Sequence, residues 1–213
     1  MIKNNIKKII LTTLVTLSPI IVGLFLWNKL PDAVAIHWNF NGKADGFSSK
    51  AFAVFFMPLF IAAMHLICAF ATGFDPKNQN YNPKIINMVL WICPVISIIC
   101  NLFVYCTALG KELDVNFILN LVLGSMFITV GNYLPKCKQN YTIGIKLPWT
   151  LNDEENWNKT HRLGGRVWVL CGIALIVALP LPTKLQGFVI IPVLLIALLV
   201  PTTYSYLIYK NKK

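Results

Sequence analysis

The residues able to do chemistry are few and unevenly placed. All eight acids, Asp32, Asp45, Asp75, Glu112, Asp114, Asp153, Glu154 and Glu155, fall outside the long apolar runs. Of the three histidines, only His65 lies within such a run. It reads either as a relay or ligand contact, or as a neutral ring hydrogen-bonded to a neighbouring helix. The chain has no HExxH, GxSxG or phosphate loop, and no serine and histidine spaced as nucleophile and base. The six cysteines form neither a CxxC pair nor a Cys/His cluster. An enzyme, a metal site and a bound cofactor are therefore not expected. The polar and aromatic chemistry that remains is gathered in two stretches: "LPDAVAIHWNFNGKADGFSSK" at 30–50, and "QNYTIGIKLPWTLNDEENWNKTHRLGGRVW" at 139–168.

The elements that must hold these stretches are membrane helices. The chain has 213 residues, 56% of them hydrophobic and 13% charged. A soluble domain carries about 25% charged residues. Six apolar runs, at 9–27, 51–72, 85–108, 115–133, 167–179 and 186–209, are candidate spans. The expected fold class is an all-α integral membrane protein of six transmembrane helices. Pro94, Pro192 and Pro201 fall inside spans and predict kinks there. The net charge of +11 belongs to the loops rather than to a nucleic-acid stripe, so direct nucleic-acid binding is not expected. Lys3, Lys7, Lys8, Lys77, Lys84, Lys136, Lys138, Lys146, Lys159, Arg162, Arg166, Lys210, Lys212 and Lys213 fall on one side, and Lys29, Lys43, Lys50, Lys111 and Lys184 on the other. The excess on the first side predicts that both termini are cytoplasmic and that loop 28–50 faces outward. The expected organisation is a two-helix region at 1–72, then a four-helix region at 83–213 whose cytoplasmic loop spans 134–166.

Local signals refine this frame. Asn116, Asn120, Gly124 and Gly131 share a stripe of the fourth span, as do Thr12, Thr16, Pro19 and Gly23 on the first, and both read as packing seams. In the outward loop, Pro31 and the NG and DG pairs mark turns, "AVAIHWNF" is a short extended piece, and Ser48 or Ser49 caps the second helix. His37, Trp38, Asn39 and Asp45 are either an outward recognition surface or, with Phe40, an interfacial anchor. In the other segment, Pro148 pushes Leu147 toward extended geometry. Thr150 or Asn152 caps a following helix whose first turn holds Asp153, Glu154 and Glu155. Trp149, Trp157 and Trp168 are expected to anchor the segment at the membrane interface.

The second stretch also resembles a known family. Gly131-Asn132, then "NYTIGIKLPWTLNDEENWNKTHRLGGRVWVLCG" from Asn140, is similar to the signature of the SdpI family of bacterial immunity membrane proteins. The outward loop resembles that of the domain which commonly precedes it. The resemblance implies a multi-pass protein of the bacterial cell membrane that protects against a secreted peptide toxin. It further implies sensing of that toxin and sequestration of a transcriptional repressor at the membrane, with membrane lipid as its surroundings. It assigns partner-binding roles to Asn132, Asn140, Gly144, Lys146, Pro148, Trp149, Thr150, Trp157 and Arg162. One departure is clear: the family's Arg-Thr is Lys146-Leu147 here, and lysine does not reproduce a bidentate guanidinium contact. The alternatives are a small-molecule transporter, which would need internal repeats with broken helices, and another membrane sensor.

The charge bias makes a direct prediction. An impermeant thiol reagent applied to intact cells should modify an Asn39→Cys variant and spare Cys137. Labelling of Cys137 alone would reverse the orientation.

Overall fold

The computed structural model describes residues 2–77 and 82–212; Lys213, counted in the charge bias, lies outside them. Its elements are α1 (Ile2–Phe25), β1 (Ala33–Trp38), β2 (Ala44–Ser49), a π-helical turn (Phe52–Phe56) running into α2 (Met57–Phe74), α3 (Pro83–Ala108), α4 (Val115–Tyr133), α5 (Pro148–Asn152), α6 (Glu154–Val177) and α7 (Thr183–Asn211). Six helices are long and apolar enough to cross a membrane. The expectation of an all-α protein is corrected by the β1–β2 hairpin, in which Val34 pairs with Ser48 across the strands and turns its side chain into the core. The fifth long helix starts at Glu154, so the acidic helix start and the apolar run from 167 form one continuous element.

The chain divides into two compact units, the first made of Met1–Asn39, Lys43–Phe74 and Ile86–Leu113. In the hairpin the NG pair makes the turn. Gly42 adopts φ 77°, Asn39 N donates to Lys43 O at 2.9 Å, and Lys43 N donates to Asn39 Oδ1 at 3.1 Å. The DG pair is not a turn: Asp45 and Gly46 lie within β2, with Gly46 opposite His37 at a register shift. A Cβ on Gly46 would sit 2.9 Å from His37 Cβ, which explains glycine there. Ser49 Oγ accepts from Phe52 N at 3.2 Å and so is the cap of the two serines considered. Leu30, Val34, Ala53, Val54, Val104 and Tyr105 form the core beneath, with Trp38 edge-on to Phe103 at 4.8 Å.

Backbone bookkeeping explains the polar residues of these helices. Pro19 has no N–H for Val15 O, and the Ser18 hydroxyl donates to that carbonyl at 2.8 Å. The predicted stripe of α1 is buried, and it carries the interhelical bonds. His65 Nε2 pairs with Thr12 Oγ1 at 2.9 Å, Ser97 Oγ donates to Thr16 O at 2.7 Å, and Tyr105 OH donates to Pro19 O at 3.1 Å. Thr12 gives its own proton to Lys8 O at 2.8 Å, so the ring nitrogen is the donor and His65 is the hydrogen-bonded side chain of the plainer reading. Two of these bonds tie α3 to α1.

The second unit contains Phe40–Gly42, Asp75–Ile85 and Asp114–Lys213. Here α4 crosses α6 on glycine. A Cβ on Gly172 would lie 2.5 Å from Gly124 O, and one on Gly131 would lie 2.8 Å from Gly165 O, so the backbones touch. Asp114 caps α4 by accepting from Phe117 N at 3.0 Å. Asn116 donates to Phe40 O at 2.8 Å and to Thr183 O at 3.0 Å. Pro201 leaves Ala197 O without its helical donor, and Trp168 Nε1 donates to it across the helix pair at 3.0 Å. Trp168 is thus a helix-to-helix strut and not only an interfacial anchor. Trp168→Phe keeps an aromatic ring of smaller size and deletes the donor; it should lower stability by about 1–2 kcal/mol, read as an earlier thermal midpoint in detergent.

Candidate functional site

The signature segment folds as a knot around three wholly buried polar side chains, Asn140, Thr150 and Asn156. The chain after α4 makes one 3₁₀ turn at Leu134–Lys136 and then loses regular structure, so its amide groups need side-chain partners. Asn140 supplies them. Its Oδ1 accepts from Thr142 N at 2.9 Å and Ile143 N at 2.6 Å. Its Nδ2 donates to Lys138 O at 2.8 Å, to Ile143 O at 2.9 Å and to Cys137 Sγ at 3.3 Å. Burial pushes the Cys137 thiol up to about 11 even though Asn140 opposes the shift. It is therefore a packed thiol rather than a nucleophile at neutral pH.

Gly144 follows at φ 120°, a backbone region that favours glycine. A Cβ there would collide with His161 Nε2 and stand 3.1 Å from the Trp157 ring. Those rings stack, centroids 3.9 Å apart, and both are buried in α6. Trp157 Nε1 donates to Cys137 O at 2.8 Å. His161 Nδ1 lies 2.8 Å from Trp157 O, and Ile145 N donates to His161 Nε2 at 3.0 Å. The two contacts fix the Nδ1–H tautomer. The expectation that Trp157 anchors the membrane interface is thereby corrected: it is 0% exposed and closes the loop from inside.

Leu147 is extended, at φ −118° and ψ 152°, as Pro148 requires, and Pro148 opens α5. Thr150 does not cap α6. It reaches back so that Leu147 N donates to its Oγ1 at 2.8 Å, while Gln139 Nε2 donates to its carbonyl at 2.9 Å. The α6 cap is Asp153, which accepts from Asn156 N at 3.1 Å, because only after Asn152 does the chain return to extended geometry. Asn156 binds α7: its Nδ2 donates to Ser205 O at 3.0 Å, and its Oδ1 accepts from Ser205 Oγ at 2.7 Å and Thr160 Oγ1 at 2.9 Å. Trp149 Nε1 donates to Ser205 Oγ at 2.9 Å, and its ring stacks on Tyr209 at 5.5 Å. Lys212 Nζ lies 2.7 Å from both Asp153 and Glu155. That ammonium, followed by the Asn156 N–H, holds the Asp153 carboxyl below its usual range. Between these groups lies an open cleft of about 310 Å³, bounded by Pro148, Trp149, Asn152, Asp153, Tyr209 and Lys212.

The residues singled out by resemblance therefore separate into two sets. Asn140, Gly144, Thr150 and Trp157 are interior fasteners. Lys146, Pro148 and Arg162 are exposed, and Trp149 is half-buried at the cleft. Asn132 stands apart, exposed on α4, with its amide donating to Ile128 O at 3.0 Å. Asp75 was missed. It is 3% exposed and accepts from Tyr141 N at 2.8 Å and Thr142 Oγ1 at 3.2 Å. The available signal was its place just past the C-terminal end of α2, where a lone carboxylate opposes the helix dipole unless other donors hold it. In the hairpin, His37 Nδ1 meets Asp45 Oδ1 at 2.5 Å, and the pair is open to solvent. Trp38 and Asn39 serve instead the core and the turn.

Gly144→Ala should lower stability by about 3 kcal/mol or more through backbone strain and collision. Asn140→Ala should cost about 2–4 kcal/mol by orphaning two amide donors. Arg162→Ala and Lys146→Ala should stay within about 0.5 kcal/mol. Thermal midpoints of the purified variants in one detergent check all four. For sidedness, burial keeps Cys137 silent to thiol reagents from either face, so the exposed Asn158→Cys is the informative probe for the side expected to be cytoplasmic.

Two family models match separate stretches of the chain. The model of the SdpI/YfhL protein family matches residues 136–205, and that of a domain of unknown function, DUF1648, matches 14–62. The chain is 29% identical over 209 residues to Immunity protein SdpI of Bacillus subtilis (strain 168), covering 98% of this chain and 97% of that protein. No solved structure matches. The fastened segment and the two helices that grip it thus carry the match, and through them this chain, a multi-pass bacterial membrane protein, is similar to the SdpI/YfhL family.

Proposed function

We propose that this protein protects its cell against a secreted peptide toxin, and that it also senses the toxin and holds a transcriptional repressor at the membrane. The observation that carries the first part is the near full-length match to a protein named for immunity. The toxin side is the hairpin loop at 28–50. His37 and Asp45 form an exposed pair there, and Phe47 is 62% exposed, which gives an amphipathic peptide both charge and apolar surface. Trp38 and Asn39 hold that surface in shape. The repressor side is the rim of the cleft, where Pro148 is exposed beside Trp149, together with the exposed Lys146 two residues ahead of it in the chain. The interior fasteners give this rim its rigidity, as preorganised recognition requires.

The two activities should separate by mutation. In a toxin-sensitive host, His37→Ala with Asp45→Ala should restore depolarisation on addition of the cognate peptide. Lys146→Ala should leave protection intact and release the repressor from the membrane fraction. If cells making the wild-type protein at confirmed levels depolarise as fast as cells without it, immunity is refuted and a transporter or other sensor takes its place.

A further inference from the structure

The outer face of α6 changes character along its length. Glu155, Lys159, Arg162, Arg166, Leu170, Ile173 and Val177 follow one another at helical spacing within one narrow stripe. All are exposed on the protein surface, Leu170 by 66%, Ile173 by 45% and Val177 by 67%. The apolar end therefore faces acyl chains in this multi-pass protein. Lys159 is held by Glu155 at 2.6 Å. Arg162 and Arg166 have no acidic partner among the described residues. Arg166 stands one turn, about 6 Å, from Leu170, and Arg162 one turn further.

From this gradient we propose that Arg162 and Arg166 form a site for the phosphate of an anionic lipid headgroup. Two unpaired guanidinium forks one turn apart, at the polar end of the exposed apolar stripe, match phosphate oxygens in charge and geometry. Continuity with the apolar face selects lipid over a soluble acidic partner. A protein covering Arg166 would also have to displace the acyl chains beside Leu170, whereas a headgroup is already at that depth. The stripe also gives Arg162 a role of its own, apart from the rim at Lys146 and Pro148. Lipid held there would set the height of α6, and with it the signature knot, above the membrane.

The test uses the full chain reconstituted in vesicles of equal phosphatidylcholine and phosphatidylglycerol, then released into mild detergent for native mass spectrometry of retained lipid. The wild type should retain phosphatidylglycerol preferentially, by about fivefold for each arginine at low salt, and less as ionic strength rises. Arg162→Gln with Arg166→Gln should abolish the preference with an unchanged thermal midpoint. Arg162→Lys with Arg166→Lys should retain part of it, which separates charge recognition from a folding defect. Equal retention of the two lipids by the wild type would overturn the proposal. So would an undiminished preference in the double Gln variant, or loss of the preference only together with a lowered midpoint. Loss of preference with the toxin protection intact would support the lipid site independently of the immunity reading.

Discussion

Asn140 bonds four residues through a single amide, with three acceptors for its N–H groups and two donors to its oxygen. The segment from Lys138 to Ile145 has no ladder of its own, and at the edge of a membrane unsatisfied backbone groups are costly. The side chain stands in for the missing secondary structure. Once it fixes the turn, Gly144 can pass against the Trp157–His161 stack, Ile145 N can reach the imidazole, and Thr150 can start the next helix. Remove the amide and each later contact loses its geometry.

The same accounting recurs inside the spans. Proline is tolerated where a neighbouring side chain donates to the carbonyl it frees: Ser18 for Val15, and Trp168 for Ala197. Glycine appears where two backbones must touch, as at Gly124 against Gly172 and Gly131 against Gly165. Lipid offers no hydrophobic force between helices, so close packing and hydrogen bonds carry association. Polar residues in these spans are fasteners first: the buried asparagine, threonine and histidine side chains bond backbone and side chains of neighbouring helices.

The residues open to a partner are those that the fasteners leave outside. The buried half of the signature makes a stiff platform, and the exposed half presents Lys146, Pro148 and the two free arginines of α6. The hairpin repeats the arrangement: Val34 and Trp38 pack inward while His37, Asp45 and Phe47 stay open. Residues singled out by pattern alone mix the two classes, because a position can be fixed by the loop's geometry as firmly as by a partner.

The sequence by itself determined the six spans, because length and apolarity are local properties that a membrane reads directly. It determined the buried stripes of α1 and α4 through helical spacing, and the extended Leu147 through the proline that follows it. Only the tertiary structure decided the rest. That Asp75 serves the signature loop, that Trp157 closes it from within, and that α3 bonds to α1 all depend on partners more than 19 residues away in the chain. The DG pair read as a turn became a strand because the pairing register, set by the NG turn and the inward Val34, placed Gly46 opposite His37. Local preference names the elements; the demand that every buried donor and acceptor find a partner chooses among their arrangements.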